Sequence, residues 1–318
     1  MDYLPLPDNA ARQLIDSTTV FDEYRRVRTQ ARPYAGGMYW KKQGEYEYLV
    51  RTGQGKRQQR IGPRSPITER TFEVFSARKR QLESRLKSLN TALEDAERLN
   101  KALKVGRVPA TVVTLLQTIE ETGLGEHFIV VGTHALYAYE AAAGVRIVQG
   151  ALATQDVDLL WDARRRVRFI TDLGKLETSM LGVLQRADPT FQRKEGQNET
   201  AINAKGFEVD FLRRQPEGDD PHPFRFSDDE GDLWPVQAVR ASVLTAAQRF
   251  DHVVVSATGR MALMRTIAPA AFVEFKRWMA KKAPVREEAK RRRDLRQAEI
   301  VQQLVEEGLL MDGNAGAA

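Results

Sequence analysis

The chain has 318 residues, 42% hydrophobic and 29% charged, with a net charge of +6. This is the composition of a soluble globular chain long enough for two domains, and no apolar run approaches the roughly 18 residues of a membrane span. The absence of cysteine excludes disulfides and thiolate zinc sites.

Cysteine usage fits a reducing cytoplasm, and the opening stretch MDYLPLPDNAARQL has no basic region followed by an apolar one. A cytoplasmic chain without a secretory signal is therefore expected. The charge is uneven. Residues 1–104 carry 21 Lys and Arg against 13 Asp and Glu, whereas the remainder carries 28 against 30. A positive field in the N-terminal third suits a polyanionic partner, although it also serves solubility.

Residues 38–62 read as β-structure: EYEYLVR holds strand-forming aromatics, TGQG is a turn and KRQQRIG returns. Between Tyr48 and Thr68 there is no acid, whereas Arg51, Lys56, Arg57, Arg60 and Arg64 are basic. Two readings fit: a hairpin gripping nucleic-acid phosphates through Arg51, Lys56, Arg57 and Arg60, or a solvated hairpin beside an acidic surface. GPRSP then opens a helix, with Ser65 as N-cap and Pro66 as first helical residue, running to about Val105. Leu82, Leu86, Leu89, Leu93 and Ala96 follow a four-three alternation, a seam for a neighbouring helix of the same chain or, in a dimer, of a second copy. GRVP breaks the pattern, and Ala110 to Glu121 form a shorter helix closed by TGLG.

Strand and helix then alternate. HFIVVG is a short buried strand, THALYAYEAAAG a helix ending at Gly144, and QDVDLLW a strand; LGKLETSMLGVLQRAD is helical. TAINAKGFEVDFLRR is a hairpin turned at Lys205-Gly206. The pattern predicts an α+β class built on a mixed sheet. From Pro269 two helices are expected, AAFVEFKRWMAKK and REEAKRRRDLRQAEIVQQLVEE, joined at APV and followed by a disordered GNAGAA tail. The expected domains are 1–105, with the basic hairpin and long helix; 106–268, the mixed-sheet α/β domain; and 269–318, a C-terminal helical module.

The chemistry concentrates in LATQDVDLLWD. Residues two apart on a strand share a face, so Asp156 and Asp158 point the same way while Val157 and Leu159 enter the core. Two carboxylates this close repel unless a positive charge lies between them, and a hard cation such as Mg²⁺ prefers oxygen ligands. Asp210, in FEVDFL, offers a third acid on the face opposite Phe207, Val209 and Phe211. Three acids from two adjacent strands suit a pair of metal ions for in-line displacement at phosphorus. The alternative is that they are exposed acids at strand ends. Upstream, VVGTHAL runs an apolar strand into Gly132 and starts a helix at Thr133. A helix N-terminus presents free N–H groups to phosphate oxygens, and glycine removes the side chain that would block approach.

This order resembles the DNA-polymerase-β-type nucleotidyltransferase superfamily, whose pattern is an apolar run ending in Gly-Gly or Gly-Ser, then Asp-apolar-Asp or Glu, then a further Asp. GTHALYAYEAAAGV, LATQDVDLLWDAR, GFEVDFL and KRRRDLRQAEIV resemble, more narrowly, a little-characterised bacterial family of predicted stand-alone nucleotidyltransferases, over about residues 38–305. The resemblance implies a mixed-sheet nucleotidyltransferase fold with 106–268 as catalytic domain. It also implies Mg²⁺- or Mn²⁺-dependent transfer of NMP from an NTP to an acceptor: RNA, favoured by the basic hairpin, or a protein or small molecule. Asp156 and Asp158 are implied ligands of both metals. Asp210 is the implied ligand of the catalytic one and helps deprotonate the acceptor, while Gly132 and Thr133 hold the triphosphate. Lys276, in FVEFKRW, matches a lysine near the nucleotide phosphates, with Phe272, Phe275 and Met279 anchoring its helix; the alternative places it in solvent. Thr133 departs from the usual Ser or Gly but keeps a hydroxyl. The gap from Gly132 to Asp156 is long, so Arg146 or Thr154 is expected to take over contacts near the phosphates. The rival expectation is an inactive nucleic-acid-binding module on the same scaffold.

Other chemistries find little support. GQGKR lacks the spacing of a phosphate-binding loop, and neither H-E-x-x-H nor G-x-S-x-G occurs. His134 could touch phosphate, cap or pack. KRRRD, at Lys290 to Asp294, could steer an acidic partner or pair with Glu287 and Glu288 on a solvated face. DPHPFRFSDDEGD reads as an acidic surface connection.

Overall fold

A computed structural model of the chain describes residues 2–53, 58–152, 154–216, 225–283 and 286–311. Lys56 and Arg57 of the basic hairpin, and the tail expected to be disordered, lie outside these residues. The chain runs β1 (Tyr3–Pro5), α1 (Asp8–Ala31), β2 (Gly37–Gln43), β3 (Tyr46–Thr52), β4 (Gln58–Pro63), α2 (Pro66–Ala102) and α3 (Ala110–Glu121). It continues through β5 (Phe128–Val131), α4 (Leu136–Ala143), β6 (Val145–Ile147), α5 (Gln149–Leu152), β7 (Asp156–Trp161), α6 (Arg166–Gly174) and α7 (Met180–Ala187). Then follow β8 (Gln192–Lys194), β9 (Gln197–Ile202), β10 (Glu208–Arg213), β11 (Val236–Gln237), α8 (Ala241–Ala246), β12 (Arg249–Val255), β13 (Met261–Ile267), α9 (Pro269–Lys282) and α10 (Glu288–Glu306). Among the described residues no helix is long and apolar enough to cross a membrane.

Two compact units emerge, residues 12–100 and residues 1–11 with 101–318. In the smaller, the expected hairpin is a three-stranded antiparallel sheet, β2-β3-β4. Ser65 caps α2 by accepting the Thr68 N–H at 3.3 Å, and Pro66 opens the helix. Of the leucine seam, Leu82 and Leu89 are buried, packing with Val27 of α1, and Leu86 is partly buried against them. Sequence reasoning placed no helix in the first 37 residues. The buried apolar residues of α1 (Ala10, Leu14, Phe21 and Val27) are spread thinly among charged and β-branched neighbours, which blurs the 3.6-residue period.

The larger unit is built on a mixed sheet ordered β5-β7-β10-β9-β8, with the short β11 also on β10. Strands β7 and β10 are parallel neighbours at its centre, and β5 and β9 flank them antiparallel. Their inward side chains are fully buried: Val157, Leu159, Val209 and Phe211 have no exposed surface. Phe211 lies edge-on to Phe128 and Phe226 at 5.6 and 5.2 Å between ring centroids, and Trp161 meets Phe226 at 5.4 Å. Edge-to-face rings of this kind add about 0.5–1.5 kcal/mol per pair beyond area burial. Gly144 closes α4 in the left-handed region (φ +63°), which only glycine adopts without strain.

The expected helix over 173–188 is two helices. The first, α6, ends at Gly174; Glu177 then takes a positive φ (50°) in the connection, and Ser179 caps α7 by accepting the Gly182 N–H at 3.1 Å. The helix expected at Thr133 begins as a 3₁₀ turn over Gly132–Ala135 and becomes α-helical at Leu136. The β12–β13 hairpin has no counterpart in the sequence reading. It is tied to the sheet by Thr266 Oγ1, which donates to the Val130 carbonyl at 2.8 Å, and to α4 by the Tyr139 hydroxyl, which donates to the Ile267 carbonyl at 2.7 Å.

The end of DPHPFRFSDDEGD is not a surface connection. Phe226 belongs to the aromatic core and Asp232 is fully buried. Asp232 accepts the N–H groups of Met180 and Leu181 at 3.1 and 2.9 Å and the Ser227 hydroxyl at 2.6 Å, serving the start of α7. Replacement Asp232→Ala leaves those donors unpartnered in a buried place, and a loss of about 2–3 kcal/mol is expected. Urea unfolding checks it: a midpoint equal to that of the wild type contradicts the assigned role.

Candidate active site

The site lies in the larger unit and follows from strand register. Asp158 of β7 stands directly opposite Asp210 of β10, and Asp156 opposite Glu208. Parallel pairing in register puts all four acids on one face. Glu208 is bound by Lys194 at 2.7 Å, whereas Asp156, Asp158 and Asp210 each offer a carboxylate oxygen within 4.8 Å of the others. Thr200, across the antiparallel pairing of β9, donates to Asp210 at 2.6 Å, and the Thr154 hydroxyl donates to Asp156.

Crowding shows in the acids' titration. Burial pushes Asp158 up to about 7, aided by the negative charges of Asp156 and Asp210 and opposed by Lys276 and Arg286. Burial also raises Asp210, against the bond from Thr200. A group of three oxygens that repel one another and lie within a few ångströms is a fitting donor set for a hard divalent cation.

Gly132 makes the approach possible. Strand β5 ends at Val131, opposite Asp158, and the chain turns over that carboxylate at Gly132 with φ +70°. A Cβ there would sit 2.2 Å from Asp158 Oδ2. Both the dihedral and the contact therefore demand glycine. Thr133 follows, buried, its hydroxyl accepting from Gln297 Nε2 at 3.2 Å, and Gln297 also donates to the Ala151 carbonyl at 2.6 Å.

A cavity of about 360 Å³ opens beside these residues. Gly132, Thr133, Thr154, Asp156 and Asp158 line one side; Lys276, Arg286, Lys290 and Arg293 supply cations. Val239, Leu244, Phe275 and Trp278 are among its apolar lining. Lys276 is buried, not in solvent, and its amine donates to Asp294 at 2.9 Å. The Arg286 Nε donates to the other oxygen of Asp294 at 2.7 Å. Burial pulls the Lys276 amine below the usual lysine range, and Asp294 and then Asp158 oppose that fall.

The structure thus brings Gly132, Thr133, Thr154, Asp156, Asp158 and Lys276 to one cavity, with Asp210 at hydrogen-bond register beside Asp158. Arg146 is engaged elsewhere, donating to the carbonyls of Lys104 and Val105 and lying 3.6 Å from Glu140. His134 is buried against Tyr137 and Phe207, and burial holds it down at about 4, a neutral packing residue. Arg51 and Arg60 belong to the smaller unit. Arg51 lies over Phe75 and donates to the Pro33 carbonyl, while Arg60 stacks on Tyr48 at 3.2 Å from the ring centroid. Sequence reasoning missed Arg286, Asp294, Gln297 and Trp278. Asp294 alone carried a signal, as the one acid closing the KRRRD run. Within that run Lys290 and Arg293 line the cavity, while Arg292 pairs with Glu288 at 3.1 Å on the solvated side.

Paired acids on a central parallel strand pair, facing a glycine turn, define the nucleotidyl-transfer class of α+β folds. A family model described as Nucleotidyltransferase matches residues 110–314, and the chain belongs to that family. No curated protein and no solved structure matches the chain.

Two expectations follow. Gly132→Ala drives a methyl into Asp158, so Mn²⁺ affinity measured by electron paramagnetic resonance should fall at least about tenfold while the fold persists; unchanged affinity would show the contact to be harmless. The second concerns pH. The folded-state value of Asp158 is raised above its unfolded one, so the unfolded chain loses this proton first. With metal chelated, Asp158's own contribution to stability falls as pH rises from about 4 to about 7 and is flat above, while His134 and His252, both held down at about 4, contribute with the opposite sign. Asp158→Asn removes that loss, stabilising the chelated protein by about 2 kcal/mol at pH 8 and hardly at pH 4. Thermal unfolding in chelator at both pH values tests this, and a variant less stable than wild type at pH 8 refutes it.

Proposed function

We propose that the chain is a Mg²⁺- or Mn²⁺-dependent nucleotidyltransferase that moves NMP from an NTP to an acceptor hydroxyl, with RNA favoured over a protein or small molecule as acceptor. The observation that carries this reading is the cluster of Asp156, Asp158 and Asp210, the first two of which line a cavity whose other lining is cationic and apolar. Asp156, Asp158 and Asp210 would hold the divalent ions. When bound, the ions offset charge on the triphosphate and acidify the attacking hydroxyl.

The chain's own residues do the rest. The turn at Gly132 and Thr133 presents backbone N–H groups to phosphate oxygens, with no Cβ in the way. Lys276 and Arg286 bind the outgoing pyrophosphate oxygens, and Asp294 between them fixes both in place. Asp210, its carboxylate raised by burial, accepts the proton of the acceptor hydroxyl as that oxygen bonds to the α-phosphorus and the bond to pyrophosphate breaks. Thr200 holds one Asp210 oxygen and leaves the other for this task. Phe275 and Trp278, stacked at 6.4 Å and 21°, offer the base an apolar wall.

The test is transfer itself. Purified protein is incubated with each labelled NTP, with Mg²⁺ or Mn²⁺, and with total RNA, beside an Asp156→Ala/Asp158→Ala variant. Label should pass to RNA from the wild type, and at least about a hundredfold less from the variant. No transfer with any NTP, together with salt-sensitive RNA binding that the variant retains, would instead support an inactive nucleic-acid-binding module. Mass analysis of the product identifies donor and acceptor. Trp278→Ala should raise KM for the NTP about fivefold or more while kcat holds; a fall in kcat alone would remove it from base binding.

A further inference from the structure

The β2-β3-β4 sheet of the smaller unit has two unlike faces. Leu49, fully buried, Trp40, which meets Phe72 at 6.0 Å, and Arg51, over Phe75, share the face that packs on α2. Strand alternation puts Tyr46, Tyr48 and Val50 on the other face, and pairing adds Gln43 opposite Tyr46, Lys41 opposite Tyr48 and Tyr39 opposite Val50 from β2. On the far side Arg60 of β4 pairs with Val50 and stacks on Tyr48. Tyr46 is 65% exposed and Tyr39 37%. Tyr46 and Tyr48 have their rings 6.5 Å apart.

Charge on this face has one sign. The acids between Gly37 and Pro63 are Glu45 and Glu47. Glu45 lies in the β2–β3 turn, and Glu47 alternates to the packed side, where Arg64 binds it at 2.5 Å. Lys41 and Arg60 therefore face solvent with no carboxylate between them. Tyr46 and Tyr39 are exposed, whereas Tyr48 is half-buried with Arg60 over one face of its ring, and this mixture of rings and cations suits one kind of ligand. Unpaired bases stack on aromatic rings while cations track the phosphates. A duplex hides the faces of its bases and would meet only the two charges. Tyr46 and Tyr48 follow one another along β3 and Tyr39 stands on β2 opposite Val50, three rings that suit two or three splayed bases.

We propose that the solvent face of β2-β3-β4, formed by Tyr39, Lys41, Gln43, Tyr46, Tyr48 and Arg60, binds single-stranded RNA. The choice of RNA over DNA rests on the acceptor reading above and on the phenol and amide groups of Tyr39, Tyr46 and Gln43, which suit a 2′-hydroxyl. The face lies outside the residues matched by the family model, so it is a binding site added to the transferase unit. Arg51, turned to the packed side, takes no part.

The test is anisotropy of a fluorescein-labelled 12-mer oligouridylate titrated with the full chain at several salt concentrations. Tyr46→Ala and Tyr48→Ala should each weaken binding about fivefold or more, the lower end for a lost base stack. Tyr46→Phe should restore most of the affinity, and Lys41→Gln should reduce the slope of log affinity against log salt by about 0.7. Tyr46 is exposed, so its variants should keep the wild-type urea midpoint. Duplex RNA bound as tightly as the single strand, or affinity indifferent to both tyrosines, overturns the proposal. DNA of the same sequence bound as tightly as RNA overturns the assignment to RNA. The Asp156→Ala/Asp158→Ala variant should bind the oligomer like wild type. Tyrosine-dependent binding without any nucleotidyl transfer would sink the transferase reading alone; transfer with tyrosine-independent binding would sink this face alone.

Discussion

Mutual repulsion among Asp156, Asp158 and Asp210 is the constraint around which the larger unit is arranged. Register holds the second and third directly opposite on adjacent parallel strands, and alternation adds the first. Two like charges about 4 Å apart cost about 4 kcal/mol at an effective dielectric of 20. The chain accepts that cost on a half-buried face; burial first, and then the charges of Asp156 and Asp210, push Asp158 up to about 7. A sheet edge or a solvated loop would relax such a cluster by letting the side chains part. Here the strands that carry the acids also carry the core, and they cannot move without it.

That core explains why the geometry is stiff. Val157, Leu159, Val209 and Phe211 point away from the acids into closely packed aromatics, and each is without exposed surface. Sliding either strand by one residue would exchange the two sets, burying charge and exposing Phe211. Gly132 adds a second lock, since the chain passes over Asp158 at a distance that admits no side chain. The β12–β13 hairpin supports β5 from behind through Thr266, so the turn at Gly132 is braced from both directions.

Much of this was legible in the sequence, and for stated reasons. Asp156, Asp158 and Asp210 stood out because alternation alone separates them from their apolar neighbours, and Gly132 because a glycine ends an apolar run. Lys276 was visible only through resemblance; its residue type and spacing favoured solvent. What stayed hidden depends on contacts distant in sequence. Asp294 lies among four basic residues and reads as part of a solvated run until α10 turns it toward Lys276. Asp232 looked like another acid in a loop, because only the fold brings it to the start of α7. The β12–β13 hairpin was missed for another reason: VVVSATGRMALM is apolar on both sides of its turn and lacks the alternation that marks a half-exposed strand. Helix α1 failed in the opposite way, with too few apolar positions to show a period.

The cationic side of the cavity follows from the same electrostatics. A lysine buried alone would lose its proton, since burial penalises the charged form. Asp294 opposes that loss, but a one-to-one pair would leave no charge for a ligand. Arg286 on the second carboxylate oxygen changes the balance: two cations share one acid, and the group keeps a net charge of +1 in a buried setting. Lys290 and Arg293 extend the positive lining from the next turn of α10. The cavity is thus negative where β7 ends it and positive where α9 and α10 close it. A polyanion chelating a cation matches that division of charge; a neutral apolar ligand would leave both ends uncompensated. This placement of charge, independent of any contact to base or acceptor, is what supports the proposed metal-bound triphosphate as ligand.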